Sequence, residues 1–529
     1  MDAITQVTWR TKRVRAFCTM LLWCGAANAQ TVTPWLTKGD QGALLEMQEP
    51  SSLIPYLGGG TTVVVDSTTS HQSVDGFGFC LTQGSAEVIN GLEPETKANL
   101  LNDLFGAEGL GISMLRISLG ASDLSNSVYT YNESPDDVDM INFSLEGPDL
   151  DHLIPLIHEI LAINPSIKLM ASPWTAPTWM KTNNDWIGGS LNPQYYAAYS
   201  QYFLRYLEEM ENQGIDIWAI TPQNEPENQW NQPSMLMSAP EQIAFINNHL
   251  GPDLAASDYS PKIIAYDHNC DNTAYPIGVL DQSPFVDGAA FHMYAGSISA
   301  MTTVKEATGK NVYFTEQYTD ANGDFNEDLG WHMENVLIGS LNNWSKCVLE
   351  WNLATDSSYG PHTPFGCSEC QGALTIQSET QYDTNVSYYI VGHASKFIMP
   401  DAVRIDVTTS SSQLLVTGFK NPDNTLAILV YNYWGGMDDA EDIQLVIGSQ
   451  KVDFTIPPRS VVTFSVSQAI QNSCIEDLDL DGVVGISDVL LLLGEFGCAS
   501  SCFGDLDDDG FVSVADVLLM ISAFGNECN

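Results

Sequence analysis

Eight short apolar, β-rich runs recur between residues 72 and 352, most of them followed by enough chain for a helix. They are Val74–Leu81, Ser113–Leu119, Ile167–Ser172, Ile215–Thr221, Ile263–Asp267, Gly288–Tyr294, Val312–Glu316 and Val348–Leu353. A strand-then-helix alternation repeated eight times predicts an α/β chain folded as a (β/α)8 TIM barrel. Amphipathic helical patterns fall between the runs, as over Asp151–Leu161 and Tyr195–Met210. The barrel is expected over 72–389. Residues 30–71 and 390–470 carry further β-rich runs, among them Leu426–Tyr431 and Val461–Val466, and read as a flanking β-sandwich built from both ends of the barrel chain.

At 529 residues the chain is long enough for such a catalytic-sized unit and a smaller one, and 44% hydrophobic content supports a large core rather than disorder. Residues 1–29 read as a cleaved secretory signal peptide: Arg10, Lys12, Arg13 and Arg15, then the apolar run Ala16–Cys24, then Ala27-Asn28-Ala29. Its apolar run is too short to span a membrane, and no later stretch is long and apolar enough to serve as a transmembrane anchor. The expected product is a secreted, extracellular or surface-attached protein. Removing four basic residues and Asp2 takes away a net +3, moving the formal charge from −47 to about −50. Such a charge argues against nucleic acid and anionic lipid as partners and suits a neutral or cationic one.

Nine of the eleven cysteines remain after residue 29. Cys474, Cys498, Cys502 and Cys528 form a local set expected to pair in an oxidising compartment, and Cys367-Ser-Glu-Cys370 reads as a loop disulfide rather than a zinc site. If the C-terminal four pair among themselves, at least one of the other five stays free.

Residues 471–529 contain a repeat. Asp477, Asp479, Asp481 and Gly482 recur 28 residues later as Asp505, Asp507, Asp509 and Gly510, and Asp488 recurs as Asp516. Carboxylates at loop positions one, three, five and twelve, with Gly at six for the turn and the carbonyls of Val483 and Phe511 at seven, are EF-hand-like calcium geometry. A small helical EF-hand-like module holding structural Ca2+ is therefore expected. Aspartate at position twelve resembles the calcium loops of dockerin modules, which implies attachment to a protein or a cell surface.

Two carboxylates stand at strand ends in the barrel region. Glu225, in Gln223-Asn224-Glu225-Pro226, follows the fourth run, and Glu316, in Thr315-Glu316-Gln317, ends the seventh. In a TIM barrel the chemistry sits at the C-terminal ends of the strands, and strands four and seven face each other across the mouth. Two carboxyls flanking one bond are what a retaining glycosidase needs, one as acid/base and one as nucleophile, with Asn224 placed to bond a sugar 2-hydroxyl.

Longer motifs carry a family resemblance. Asp75–Cys80, Leu115–Gly120 with Ser122-Asp123, Ser172–Thr182, Gln223–Pro226, Phe291–Tyr294, Thr315–Gln317 and Glu350–Leu353 together resemble glycoside hydrolase family 30, whose members include glucosylceramidases and endo-β-1,6-glucanases. The resemblance implies Glu225 as acid/base and Glu316 as nucleophile, with no catalytic cofactor. It also implies that Asp123, Trp174, Asn224 and Trp351 line the sugar subsite, and that Arg116 with His292 or Tyr294 gives polar support. Met293 stands where glucosylceramidase-like members tend to carry Trp, and the stretch 362–373 resembles the bacterial branch that includes endo-β-1,6-glucanases. The reading is a retaining endo-β-1,6-glucanase. Its alternatives are an exo-acting β-glucosidase of the glucosylceramidase type and a non-catalytic carbohydrate-binding protein.

Overall fold

The structure, a computed structural model, describes residues 30–145, 147–433, 440–467, 476–479, 483–498, 502, 504–507 and 510–526. Residues 1–29, expected to be a signal peptide, lie outside the described residues, as do Asp481, Asp509, Cys474 and Cys528. The chain divides into two compact units, one spanning 31–468 and the other holding 469–529.

In the larger unit eight parallel strands close into a barrel: β1 (Gly76–Leu81), β2 (Met114–Ser118), β3 (Lys168–Ser172), β4 (Ala219–Ile220), β5 (Lys262–Cys270), β6 (Val286–Gly296), β7 (Asn311–Glu316) and β8 (Ser345–Asn352). Seven match the apolar runs within a few residues. The fourth is only two residues long, although its run extends from 215 to 221; Ile215 is buried in the core outside the sheet pairing. Gly78 permits the close pairing of β1 and β2, since a Cβ there would meet the Met114 carbonyl oxygen at 1.9 Å.

Alternation along the strands fills the barrel in layers. Met114, Met170, Ala219, Ile264, Ala290, Tyr313, Cys347 and Leu349 form an apolar plug inside it. Two residues further along their strands stand Arg116, Ser172, Thr221, His292 and Thr315, so a polar layer follows directly from the period of two. On β5 the step is three residues, from Ile264 to Asp267. A register shift between Tyr266 and His268, with positive φ at Tyr266 (70°) and Asp267 (64°), brings Asp267 into that layer.

The sandwich draws on both ends of the unit. The first strand, Thr31–Lys38, pairs antiparallel along its length with the last, Ser460–Val466, within one eleven-stranded sheet that closes over its own core of Val32, Val63, Ile405, Ile428, Leu445 and Phe464. Strand Thr61–Ser73 runs past residue 71 into the barrel boundary. Helix Val386–Ser395 straddles the expected boundary at 389/390. All ten of its residues are buried, and its apolar side chains join the barrel core, so the barrel unit ends beyond this helix.

His393 on that helix joins barrel to sandwich. Thr463 donates its hydroxyl hydrogen to the His393 carbonyl at 2.8 Å, so at 2.9 Å it accepts from Nδ1–H; Nε2 is then left to accept from Thr37 Oγ1 at 2.8 Å. This pattern is complete only for neutral imidazole, and burial pulls the ring down to about 3.

In the smaller unit, helices Ile486–Gly494 and Val514–Ala523 pack over Val484, Leu492, Leu506, Val512 and Met520, with a Cys498–Cys502 disulfide. In the larger, Cys367 pairs with Cys370, and Cys80, Cys270 and Cys347 are free and buried. No helix among the described residues is long and apolar enough to cross a membrane.

Because the unfolded chain takes up the His393 proton near pH 6.5 while the folded one resists to about 3, this residue stabilises the fold above pH 6.5. That stability is lost as pH falls, by up to about 1.4 kcal/mol per pH unit. Thermal melts between pH 7 and pH 4 should show a shallower acid loss in His393→Leu than in the wild type.

Candidate active site

Arg116 organises the polar layer. It is fully buried, and each of its three nitrogens has a partner: Nε donates to Ser172 Oγ (3.2 Å), Nη1 to Glu316 Oε2 (2.6 Å), and Nη2 to Asn224 Oδ1 (2.6 Å) and Asp267 Oδ2 (2.8 Å). Asp267 is equally buried and saturated. Ser172 (3.2 Å) and Thr221 (2.8 Å) donate to Oδ2, Thr315 donates to Oδ1 (2.8 Å), and His292 Nε2 lies 3.1 Å from Oδ1. Burial pushes the Asp267 carboxyl up, but the Arg116 charge and the His292 bond outweigh it and hold the group well below the carboxylate range.

Glu225 begins the loop after β4, its backbone held at φ +45° by a bond from its own N–H to the Asp267 carbonyl at 2.9 Å. Asn228 (2.7 Å) and Asn231 (3.1 Å) donate to its Oε2, while His292 Nδ1 (3.4 Å) and His268 Nδ1 (3.6 Å) face its Oε1. Glu316, at the end of β7, accepts from Arg116 and, at Oε1, from the Tyr294 hydroxyl at 3.1 Å. The same His292 Nδ1 stands 3.7 Å from Glu316 Oε1. These two carboxylate oxygens are thus at most roughly 7 Å apart, a bound that admits the spacing of about 5 Å used for double displacement.

The three groups titrate together. Burial opposes the charge on His292, yet Glu316, Asp267 and Glu225 outweigh it and hold the imidazolium up to about 9. Burial likewise raises Glu225, but the imidazoles of His268 and His292 facing its Oε1 carry it below the usual range. Glu316 stays above its ordinary value: burial, with the neighbouring charges of Glu225 and Asp267, exceeds the relief from His292 and Arg116. The charges of the free site thus favour a proton on His292 over one on Glu225. Glu225, His268 and His292 also bring one ligand atom each within 4.8 Å of one another, a spacing a divalent cation could fit.

Above this layer opens a cavity of about 490 Å³ lined by Asp123, Glu225, Tyr294, Glu316, Tyr318 and Trp351, among others. Of the residues expected to contact sugar, Asp123, Tyr294 and Trp351 line it. Trp174 lies behind Trp351, with ring centroids 5.4 Å apart and the Arg116 guanidinium 4.8 Å over its ring. Asn224, Arg116 and His292 lie beneath the cavity floor. The Oδ1 of Asp123 is buried without a hydrogen-bond partner and Oδ2 accepts from Cys367 N at 3.4 Å. Burial, followed by the charges of Glu316 and Glu225, raises its carboxyl to about 7. Gly366 presses on Asp123, since a Cβ there would come within 2.1 Å of the Asp123 carbonyl oxygen.

Asp267, His268, Asn228, Asn231 and Tyr318 belong to the same site and were not singled out from the sequence. The signal for the first two was present: Asp267-His268 breaks the apolar run Ile263–Tyr266 at a strand end, as Asn224-Glu225 breaks the run before it.

In the smaller unit, donor atoms of Asp477, Asp479 and Asp488 lie within 4.8 Å of one another, as do those of Asp505, Asp507 and Asp516. Asp488 closes its loop by accepting from the backbone N–H of Leu478 (2.7 Å), Asp479 (3.0 Å) and Gly485 (2.7 Å); Asp516 does the same with Leu506 (2.7 Å), Asp507 (3.2 Å) and Ser513 (2.7 Å). Val483 and Phe511 follow at the seventh loop positions.

Replacing Asp267 by Asn leaves the buried Arg116 short of a counter-charge. We expect a loss of about 3 kcal/mol in denaturant unfolding, in the range for one broken partner of a buried ion pair. A loss below about 1 kcal/mol would mean that Glu316 alone balances Arg116.

Comparison with known proteins agrees with this architecture. The model of the glycosyl hydrolase family 30 TIM-barrel domain matches residues 74–398 and that of the family 30 beta sandwich domain matches residues 401–464. An endo-1,6-β-D-glucanase of Trichoderma harzianum is 32% identical over 431 residues, covering 76% of this chain and 86% of its own. A lysosomal acid glucosylceramidase of Mus musculus is 28% identical over 450 residues, covering 79% and 85%. A solved endo-β1,6-glucanase superposes with a TM-score of 0.78 at 33% identity, over 83% of this chain and 99% of that one. With both domain models matched in order and a curated relative above 30% identity over most of its length, the chain belongs to glycosyl hydrolase family 30.

Proposed function

We propose that the chain is a secreted retaining glycosidase that cuts β-1,6-linked glucan within the polymer, with Glu225 as acid/base and Glu316 as nucleophile. The observation that carries the residue assignment is the single imidazole between the two carboxylates, at 3.4 and 3.7 Å. The linkage rests on relatives named endo-1,6-β-D-glucanases in fungi and on the solved endo-β1,6-glucanase.

In the first step Glu316 attacks the anomeric carbon while Glu225 gives its proton to the departing glycosidic oxygen. Glu316 starts ionised on Arg116 and Tyr294. The proton for Glu225 is at hand on His292 Nδ1; once given up, it leaves a neutral ring whose Nε2–H still donates to Asp267. The covalent glycosyl ester neutralises Glu316, and Glu225, now a carboxylate, takes a proton from water as that water attacks the same carbon and releases Glu316. Asn224, whose Oδ1 is held by Arg116 at 2.6 Å just below the cavity, keeps its amide for the 2-hydroxyl of a sugar seated on the floor, and the unpartnered Asp123 Oδ1 would accept from another sugar hydroxyl. Stacking falls to Trp351, backed by Trp174.

The same reading extends to the smaller unit as a dockerin-like module whose two loops each hold one Ca2+, through Asp477, Asp479, Asp481, Val483 and Asp488, and through Asp505, Asp507, Asp509, Phe511 and Asp516. The closed position-twelve aspartates support this. Attachment to a protein or cell surface is supported by exposed apolar residues at repeat-related positions: Ile486 and Val514, Leu490 and Leu518, Leu493 and Ile521, Phe496 and Phe524.

Incubation with β-1,6-glucan should give a ladder of short oligosaccharides; glucose alone, or release from glucosylceramide only, would move the assignment to an exo-acting β-glucosidase. Glu316→Gln, whose amide oxygen can still accept from Arg116, should fold and bind glucan while losing at least about 10⁴-fold in kcat. Chelation of the full chain with EDTA should lower one melting transition, restored by added Ca2+, with glucan hydrolysis unchanged; superimposable melts would remove calcium from the account.

A further inference from the structure

Two large aromatics stand on the rim of the cavity with most of their surface in solvent: Trp230 is 75% exposed and Phe365 is 68% exposed. They come from different loops, Trp230 from the one after β4 and Phe365 from the one after β8. Both loops are fixed at the base. Thr363 Oγ1 donates to the Gln232 carbonyl at 2.6 Å, tying one loop to the other, and the buried Lys181 Nζ donates to the Ser234 carbonyl at 2.7 Å. Thr363 N also donates to the Asp123 carbonyl at 2.8 Å, and the Cys367–Cys370 disulfide closes the far side of the second loop.

Trp230 is wired to the acid side of the site. Its backbone N–H donates to Asn228 Oδ1 at 3.0 Å, and the amide of the same Asn228 donates to Glu225 Oε2 at 2.7 Å; Asn231, its other neighbour, reaches that oxygen at 3.1 Å. Trp230 and Glu225, the carboxyl proposed to face the departing oxygen, thus line one cavity from the same loop. A single exposed aromatic is ordinary on a protein surface. Two on tethered loops over one acidic cavity form a prepared apolar surface for a neutral ligand with an apolar face.

Resting on the glucan reading above, we propose that Trp230 and Phe365 form a leaving-side subsite in which sugar units beyond the cleaved bond stack, so that the enzyme selects a glucan chain over a glucoside with a small leaving group. Such selection would favour cleavage inside a polymer.

The test compares β-1,6-gluco-oligosaccharides of two to five units with β-glucosyl fluoride, whose leaving group cannot reach the rim. In the wild type kcat/KM should rise with oligosaccharide length. In Trp230→Ala with Phe365→Ala that rise should flatten, and the ratio of kcat/KM for the longest oligosaccharide to that for the fluoride should fall about tenfold, the equivalent of losing one good stacking contact. Trp230→Phe should recover part of the ratio. An unchanged ratio, or both substrates slowing equally, would overturn the proposal. Wild-type enzyme that hydrolyses the fluoride and none of the oligosaccharides would overturn the glucan reading itself.

Discussion

A guanidinium buried without access to water is costly unless every donor and the charge are answered, and Arg116 is answered by four different strands or strand ends. Ser172 ends β3, Asn224 follows β4, Asp267 belongs to β5 and Glu316 ends β7. The barrel must therefore close with these elements at one height for Arg116 to be tolerated. One interaction set fixes the register of the fold and the position of a reactive carboxylate together, as expected of a site built on rigid strands rather than on loops alone.

Asp267 gives the layer its electrical logic. It is the acceptor for Arg116 and for His292 Nε2, and keeping that nitrogen protonated leaves Nδ1 as the exchangeable position between Glu225 and Glu316. In the free site the charges favour imidazolium and an ionised Glu225, the reverse of what an acid needs. On the proposed roles, the proton Glu225 needs would come from His292 Nδ1, 3.4 Å from its Oε1. Transfer from His292 to Glu225 separates no charge and needs no exchange with solvent.

Much of this was legible in the sequence. The eight apolar runs predict the barrel because its strands are buried on both faces, and Glu225 and Glu316 stand out because each interrupts such a run. Asp267 interrupts another in the same way, but its entry into the polar layer depends on positive φ at two non-glycine residues, which no residue type announces. The order of Trp174 and Trp351 was hidden for a different reason: a motif shows that both aromatics are present, and only packing decides which one covers the other. Helix Val386–Ser395 gives no boundary signal in the sequence, because it is buried on all sides and carries no exposed polar stripe opposite an apolar one.

The roles of the two carboxylates form the centre of this account, and a covalent trap tests them most directly. A 2-fluoro-β-glucosyl fluoride slows both steps, and slows release of the glycosyl-enzyme more, so the ester should accumulate and be located by mass mapping of proteolytic fragments. One added fluoroglucosyl group is expected, on the fragment carrying Glu316 and on that side chain. A label on Glu225, or turnover with no covalent species at any time, would contradict it.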